Sequence, residues 1–152
     1  MRTGIGETFP TDMDVACQRK IRGDNMENQH TKFCLSCSRD AEFKPDQGKR
    51  AWLTVRDLGL NKATNGRYEA WISRANAIGG GTGRHYHNYD FQIMYVIKGW
   101  LKIYHDGKGE VIMEAGDFAY HPKGHIHEII EYSEDIELFE ACSPAGRHAI
   151  DV

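Results

Sequence analysis

The sequence predicts an all-β domain, a sandwich or double-sheet barrel, behind a polar N-terminal arm. Three observations predict it. From about residue 50 the chain breaks into short runs rich in aromatic and β-branched residues, turn dipeptides separate those runs at regular intervals, and almost no stretch carries a helical period. At 152 residues there is room for a single hydrophobic core, so residues 1–45 read as the arm and 46–152 as one domain.

The elements follow in chain order. The arm is rich in Asp, Glu, Asn, Gln and Lys and lacks a sustained apolar period, with one short helix expected near Asp12–Arg22. Trp52–Val55 is the first strand. The Asn65-Gly66 turn leads into Arg67–Ala77, in which Tyr68, Ala70, Ile72 and Arg74 alternate with Glu69, Trp71 and Ser73. The run Gly79–Gly83 is too flexible for regular structure and is expected as a loop at the barrel mouth. It lacks the Lys-Ser/Thr of a phosphate-binding loop. Phe91–Ile97 and Trp100–Tyr104 flank Lys98-Gly99 and read as a hairpin. Asp106–Gly109 turns into Glu110–Met113, and Glu114–Asp117 turns into Phe118–Tyr120. Pro122-Lys123-Gly124 leads to Ile126–Tyr132, and Ile136–Ala141 closes the series.

Composition narrows the function. The hydrophobic fraction is 40%, and no apolar run approaches the roughly 20 residues of a membrane-spanning helix. A net charge of −3 offers no positive field for phosphate backbones, so neither a membrane nor nucleic acid is the expected partner. The N-terminal residues carry no signal-peptide or transit-peptide pattern, and a cytoplasmic protein is expected. Cys34-Leu-Ser-Cys37, with Cys17 and His30 upstream, has the donors for a zinc knuckle. With no second CxxC to pair with, the cysteines read as unliganded thiols.

Histidine is the signal that stands out. Of 8 in the chain, His85, His87, His105, His121, His125 and His127 crowd one central stretch. In a strand, positions i and i+2 face the same side, so His85 and His87 project together and can share one metal ion. Gln92 can add an amide oxygen, and His127, after the Pro122-Lys123-Gly124 turn, a third imidazole. His121 and His125 bracket that turn and read as loop residues with a possible role beside the metal, while His105 and His30 read as surface. Strand alternation puts Met94 and Val96 on the face of Gln92, and Tyr120 is a further pocket candidate. Glu128 and Glu131 are candidates for orienting a ligand imidazole through its second nitrogen.

On these residues the sequence resembles the cupin superfamily. The first cupin motif is matched by Gly79, His85, His87, Gln92 and Gly99, with glutamine in place of the family's glutamate. The second is matched by Gly116, Pro122, Gly124 and His127, with Glu131 in place of asparagine. The resemblance implies a double-stranded β-helix, the cupin or jelly-roll barrel, and a divalent ion (Fe, Mn, Ni, Cu or Zn) held by His85, His87, Gln92 and His127. It also implies a small-molecule substrate and a homodimer. Three neutral imidazoles and a neutral amide leave the ion's charge uncompensated, which favours an anionic substrate, enolate or hydroxide. The leading expectation is a dioxygenase acting on a small aromatic, enol or diketone compound. The alternatives are a non-redox cyclase, isomerase or lyase, and a small-molecule-binding cupin without turnover.

Overall fold

The computed structural model describes residues 31–46 and 50–152. The expected Asp12–Arg22 helix, Cys17 and His30 lie outside these residues. Cys34 and Cys142 are free thiols, Cys34 exposed and Cys142 buried. No helix among the described residues is long and apolar enough to cross a membrane.

Among the described residues, eleven strands form two antiparallel sheets. In order they are β1 (Lys44–Pro45), β2 (Leu53–Asp57), β3 (Glu69–Ala75), β4 (His85–Tyr86), β5 (Phe91–Lys98), β6 (Trp100–His105), β7 (Gly109–Glu114), β8 (Phe118–Pro122), β9 (His127–Tyr132), β10 (Glu137–Ser143) and β11 (Ile150–Asp151). One sheet has the order β1-β2-β3-β10-β5-β8 and the other β11-β4-β9-β6-β7. A one-turn helix, α1 (Leu60–Ala63), precedes the Asn65-Gly66 turn, where both residues take positive φ.

The core lies between the sheets, where alternation delivers one apolar side chain in two. Leu53, Met94, Val96 and Leu138 from the first sheet meet Leu101, Ile103, Met113 and Ile129 from the second. Val96, Leu101 and Ile103 are fully buried, and each such side chain contributes about 1.5–3 kcal/mol by leaving water. Trp52 stacks on Tyr132 with ring centroids 4.0 Å apart. The Tyr132 hydroxyl donates to the Ala77 carbonyl at 2.8 Å and accepts the Gly80 amide at 3.0 Å.

The run Gly79–Gly83 has no regular secondary structure, as expected, and it is fixed in place. The Thr82 amide donates to the Ile129 carbonyl at 3.1 Å, and its hydroxyl accepts the Ile129 amide at 2.9 Å. Gly80 lies so close to the Trp52 ring that a Cβ there would overlap it, so this glycine serves close packing.

One expectation needs correction: the Lys98-Gly99 hairpin does not form. β5 pairs with β10 and β8, whereas β6 pairs with β7 and β9, so Gly99 is a corner that carries the chain from one sheet to the other. A single residue between strands is too short for the two-residue turn of a hairpin. The corner is tied instead by the Trp100 amide, which donates to Ser133 Oγ at 3.0 Å.

Candidate metal centre

Cross-strand register assembles the site from two facing rows. On the second sheet His85 of β4 pairs with His127 of β9, which pairs with His105 of β6. On the first sheet Cys142 of β10 pairs with Gln92 of β5, which pairs with His121 of β8. Directly paired residues share a face, and all six are buried. His87, just past the end of β4, completes the group and is also buried.

Each of the three expected ligand histidines is oriented by a backbone carbonyl. Nδ1–H donates from His85 to Gly83 at 2.8 Å, from His87 to His148 at 2.6 Å and from His127 to His125 at 3.0 Å. A carbonyl can only accept, so each Nδ1 carries the proton and each Nε2 is the unprotonated nitrogen of its ring. One ligand atom from each ring lies within 4.8 Å of the other two. These carbonyls do the orienting expected of Glu128 and Glu131. Those two are engaged outward, Glu128 with Arg84 at 3.6 Å and Glu131 with Lys102 at 3.1 Å.

Gln92 is 3% exposed, and its amide is held asymmetrically. Nε2 donates to Glu140 Oε2 at 3.1 Å, while Oε1 is buried with no partner. An orphaned buried acceptor beside three converging imidazoles fits a divalent ion with nitrogen and oxygen ligands. Glu140 also accepts the Trp71 indole N–H on Oε1 at 3.0 Å. Burial pushes its carboxyl up, opposed by Arg50 and the two hydrogen bonds. The sequence reading missed this residue. Its signal was alternation on β10, which sends Leu138, Glu140 and Cys142 inward together.

Burial also keeps the imidazoles neutral. It lowers His87 to about 4, aided by His85, against the raising effect of the His148 hydrogen bond. It lowers His127 to about 2, with His121 and His85 next in effect. Tyr89 stacks on His87 with centroids 4.6 Å apart.

His125 is a half-buried loop residue as expected, whereas His105 and His121 depart from their expected places. His105 is buried rather than on the surface, because Leu101, Ile103 and His105 form one inward row on β6. It shares a hydrogen bond with His125, Nδ1 to Nε2 at 3.1 Å. His121 is a buried strand residue, stacked on His127 at 4.3 Å between centroids, and neither ring nitrogen has a partner. Burial lowers it to about 3, with His105 the next cause. Met94 and Val96 do share Gln92's inward face, but they pack in the apolar core farther along β5. Tyr120 projects outward from β8 and is 56% exposed.

The fold and the histidine group define a small β-barrel protein with a candidate metal site. Residues 77–141 match the Cupin domain family, which together with the fold supports the cupin superfamily. Among solved structures the fold is similar to that of the polyketide cyclase RemF from Streptomyces resistomycificus, at 14% identity and a TM-score of 0.67, covering 80% of this chain and 86% of that one. It is also similar to an RmlC-like cupin from Shewanella frigidimarina, at 22% identity and a TM-score of 0.60, covering 78% and 96%. A third is the DMSP lyase DddQ from Ruegeria pomeroyi, at 16% identity and a TM-score of 0.57, covering 74% and 61%. No curated protein sequence matches the chain.

Proposed function

We propose that this cupin is a metal-dependent enzyme that binds a small oxygenated molecule at a divalent ion and transforms it without net redox change, as a cyclase, isomerase or lyase does. The observation that carries this reading is the convergence of three carbonyl-oriented imidazoles on one point beside the unpartnered Gln92 Oε1. His85, His87 and His127 would hold the ion, with Gln92 as fourth ligand. When bound, such an ion acts as a Lewis acid toward a substrate carbonyl or hydroxyl oxygen.

The chain's own residues supply the rest. The Gly83, His125 and His148 carbonyls keep the rings from rotating. Glu140 holds the Gln92 amide through its nitrogen, which leaves the amide oxygen available, and it places a carboxylate one hydrogen bond behind that amide. Tyr89 covers one face of His87 against water.

Fold similarity to a polyketide cyclase and to a lyase supports the non-redox branch. The dioxygenase expected from the sequence is the second reading, favoured by a neutral nitrogen and oxygen donor set that suits iron or copper as well as zinc. Metal analysis after aerobic and anaerobic purification, followed by oxygen uptake with phenols and diketones, separates them. Zinc without uptake supports the first reading, and uptake that requires iron or copper overturns it. A homodimer belongs to the same proposal, supported by Tyr95 and Ile97, which stand 40% and 41% exposed on the outer face of β5. The expected solution mass is twice the 17.3 kDa of one chain.

A further inference from the structure

Among the described residues β7 and β8 are edge strands of the two sheets, and a cleft of about 500 Å³ lies between them. Val111, Met113 and Ala119 form its floor and pack against the core. The hydrogen-bonded pair His105 and His125 also lines it. Ile112, Phe118 and Tyr120 stand at the rim, 60%, 59% and 56% exposed. His125 also borders the small cavity lined by His87, Gln92, His121 and His127, so the cleft and the candidate metal centre share a wall.

We propose that this cleft binds a flat, uncharged, hydroxylated aromatic ligand, its ring on the apolar floor between the rim side chains and its hydroxyl against the His105/His125 pair. The volume lies within the roughly 300–1,000 Å³ of small-molecule sites, and the lining sets apolar and aromatic side chains beside a nearly equal number of polar ones. An imidazole pair has both a donor and an acceptor to offer one hydroxyl. Asp106 and Asp117 stand in the lining against one cation, Lys108, so a carboxylate ligand would meet more negative than positive charge. An uncharged phenol is thus favoured over the anion expected from the ligand set alone. Only the step from binding to turnover rests on the proposed metal function.

2-Naphthol is the probe, titrated into the full chain with ¹³C-labelled methionine methyl groups and followed by NMR. The Met113 methyl and the His125 ring signals are expected to shift and saturate, with 2-naphthoate weaker by about tenfold or more. Phe118→Ser, at the exposed rim where the fold is not at risk, is expected to weaken naphthol binding by about fivefold. Ala119→Trp, which fills the floor, should remove the Met113 shift. The titration is repeated on zinc-loaded and chelator-treated samples of known metal content. Equal naphthol shifts in both support the cleft even if the metal function fails. Shifts seen only with zinc, no shift at Met113, or naphthoate binding as tightly as naphthol each overturn the proposal, and none of these outcomes depends on the protein holding zinc in the cell.

Discussion

Gln92 Nε2 donates to Glu140 Oε2 at 3.1 Å, and both side chains are buried. The carboxylate missing from the first cupin motif is thereby present one residue deeper, acting on the candidate ion through an amide. Glu140→Gln keeps the shape and removes the charge, so metal affinity is expected to fall by about 10–100-fold with the fold retained, read by chelator competition. Gln92→Glu brings two buried carboxyl groups together and should lower the melting temperature of the metal-free protein. Exchanging the two residues, Gln92→Glu with Glu140→Gln, is expected to recover most of that loss. If the double variant is no better than the sum of the single ones, the two side chains are not coupled.

Acid should destabilise the metal-free protein. His87, His121 and His127 are held by burial at about 4, 3 and 2, below the 6.5 of an unfolded histidine. Below pH 6.5 the unfolded chain therefore binds more protons than the folded one. The stability these rings contribute is complete above 6.5 and is lost as pH falls toward their folded values. A ring so held takes away at most about 1.4 kcal/mol per pH unit in that window. Urea denaturation at pH 7.5, 6 and 5 measures this, and a midpoint that does not move over the range would refute it.

What the sequence made legible was local. His85, His87 and His127 come together as their spacing said, because strand alternation and the Pro122-Lys123-Gly124 turn are encoded within a few residues of each ligand. What it concealed was long-range pairing. The carbonyl that orients His87 belongs to His148, 61 residues away, and Glu140 reaches Gln92 across 48. His105 was within reach of inference, since extending the Leu101 and Ile103 alternation by one step turns it inward. The adjacent Asp106-Gly107 turn hid that continuation. The sheet crossing at Gly99 was hidden for a similar reason, since a glycine between two apolar runs looks alike whether the strands pair or part.

His121 presents an unusual energetic position. Its two ring nitrogens are buried without partners, and an unmet donor or acceptor costs about 1–3 kcal/mol. His121→Phe keeps a flat ring against His127 and removes both polar atoms. The melting temperature of the metal-free variant is expected to equal or exceed that of the parent, by up to about 4–10 °C. Calorimetry reads this directly. A loss of several degrees would mean that a hydrogen-bonding partner, such as an ordered water, satisfies the ring.

Gly99 tests the sheet crossing itself. Its φ is +73°, in the left-handed region that disfavours a side chain, and a Cβ there would collide with Ser133 Oγ and stand 3.0 Å from Ile136 Cα. Ser133 cannot simply rotate away, because its Oγ accepts the Trp100 amide that fixes the corner. Gly99→Ala should therefore combine backbone strain with a broken hydrogen bond, about 2–4 kcal/mol in all. Gly107→Ala is the control, at φ +76° with nothing within 4 Å of the added Cβ, and should cost only the strain, about 1 kcal/mol. Equal losses in the two variants, measured by chemical denaturation, would mean that the corner bears no more than an ordinary turn, and that the crossing between sheets is held elsewhere.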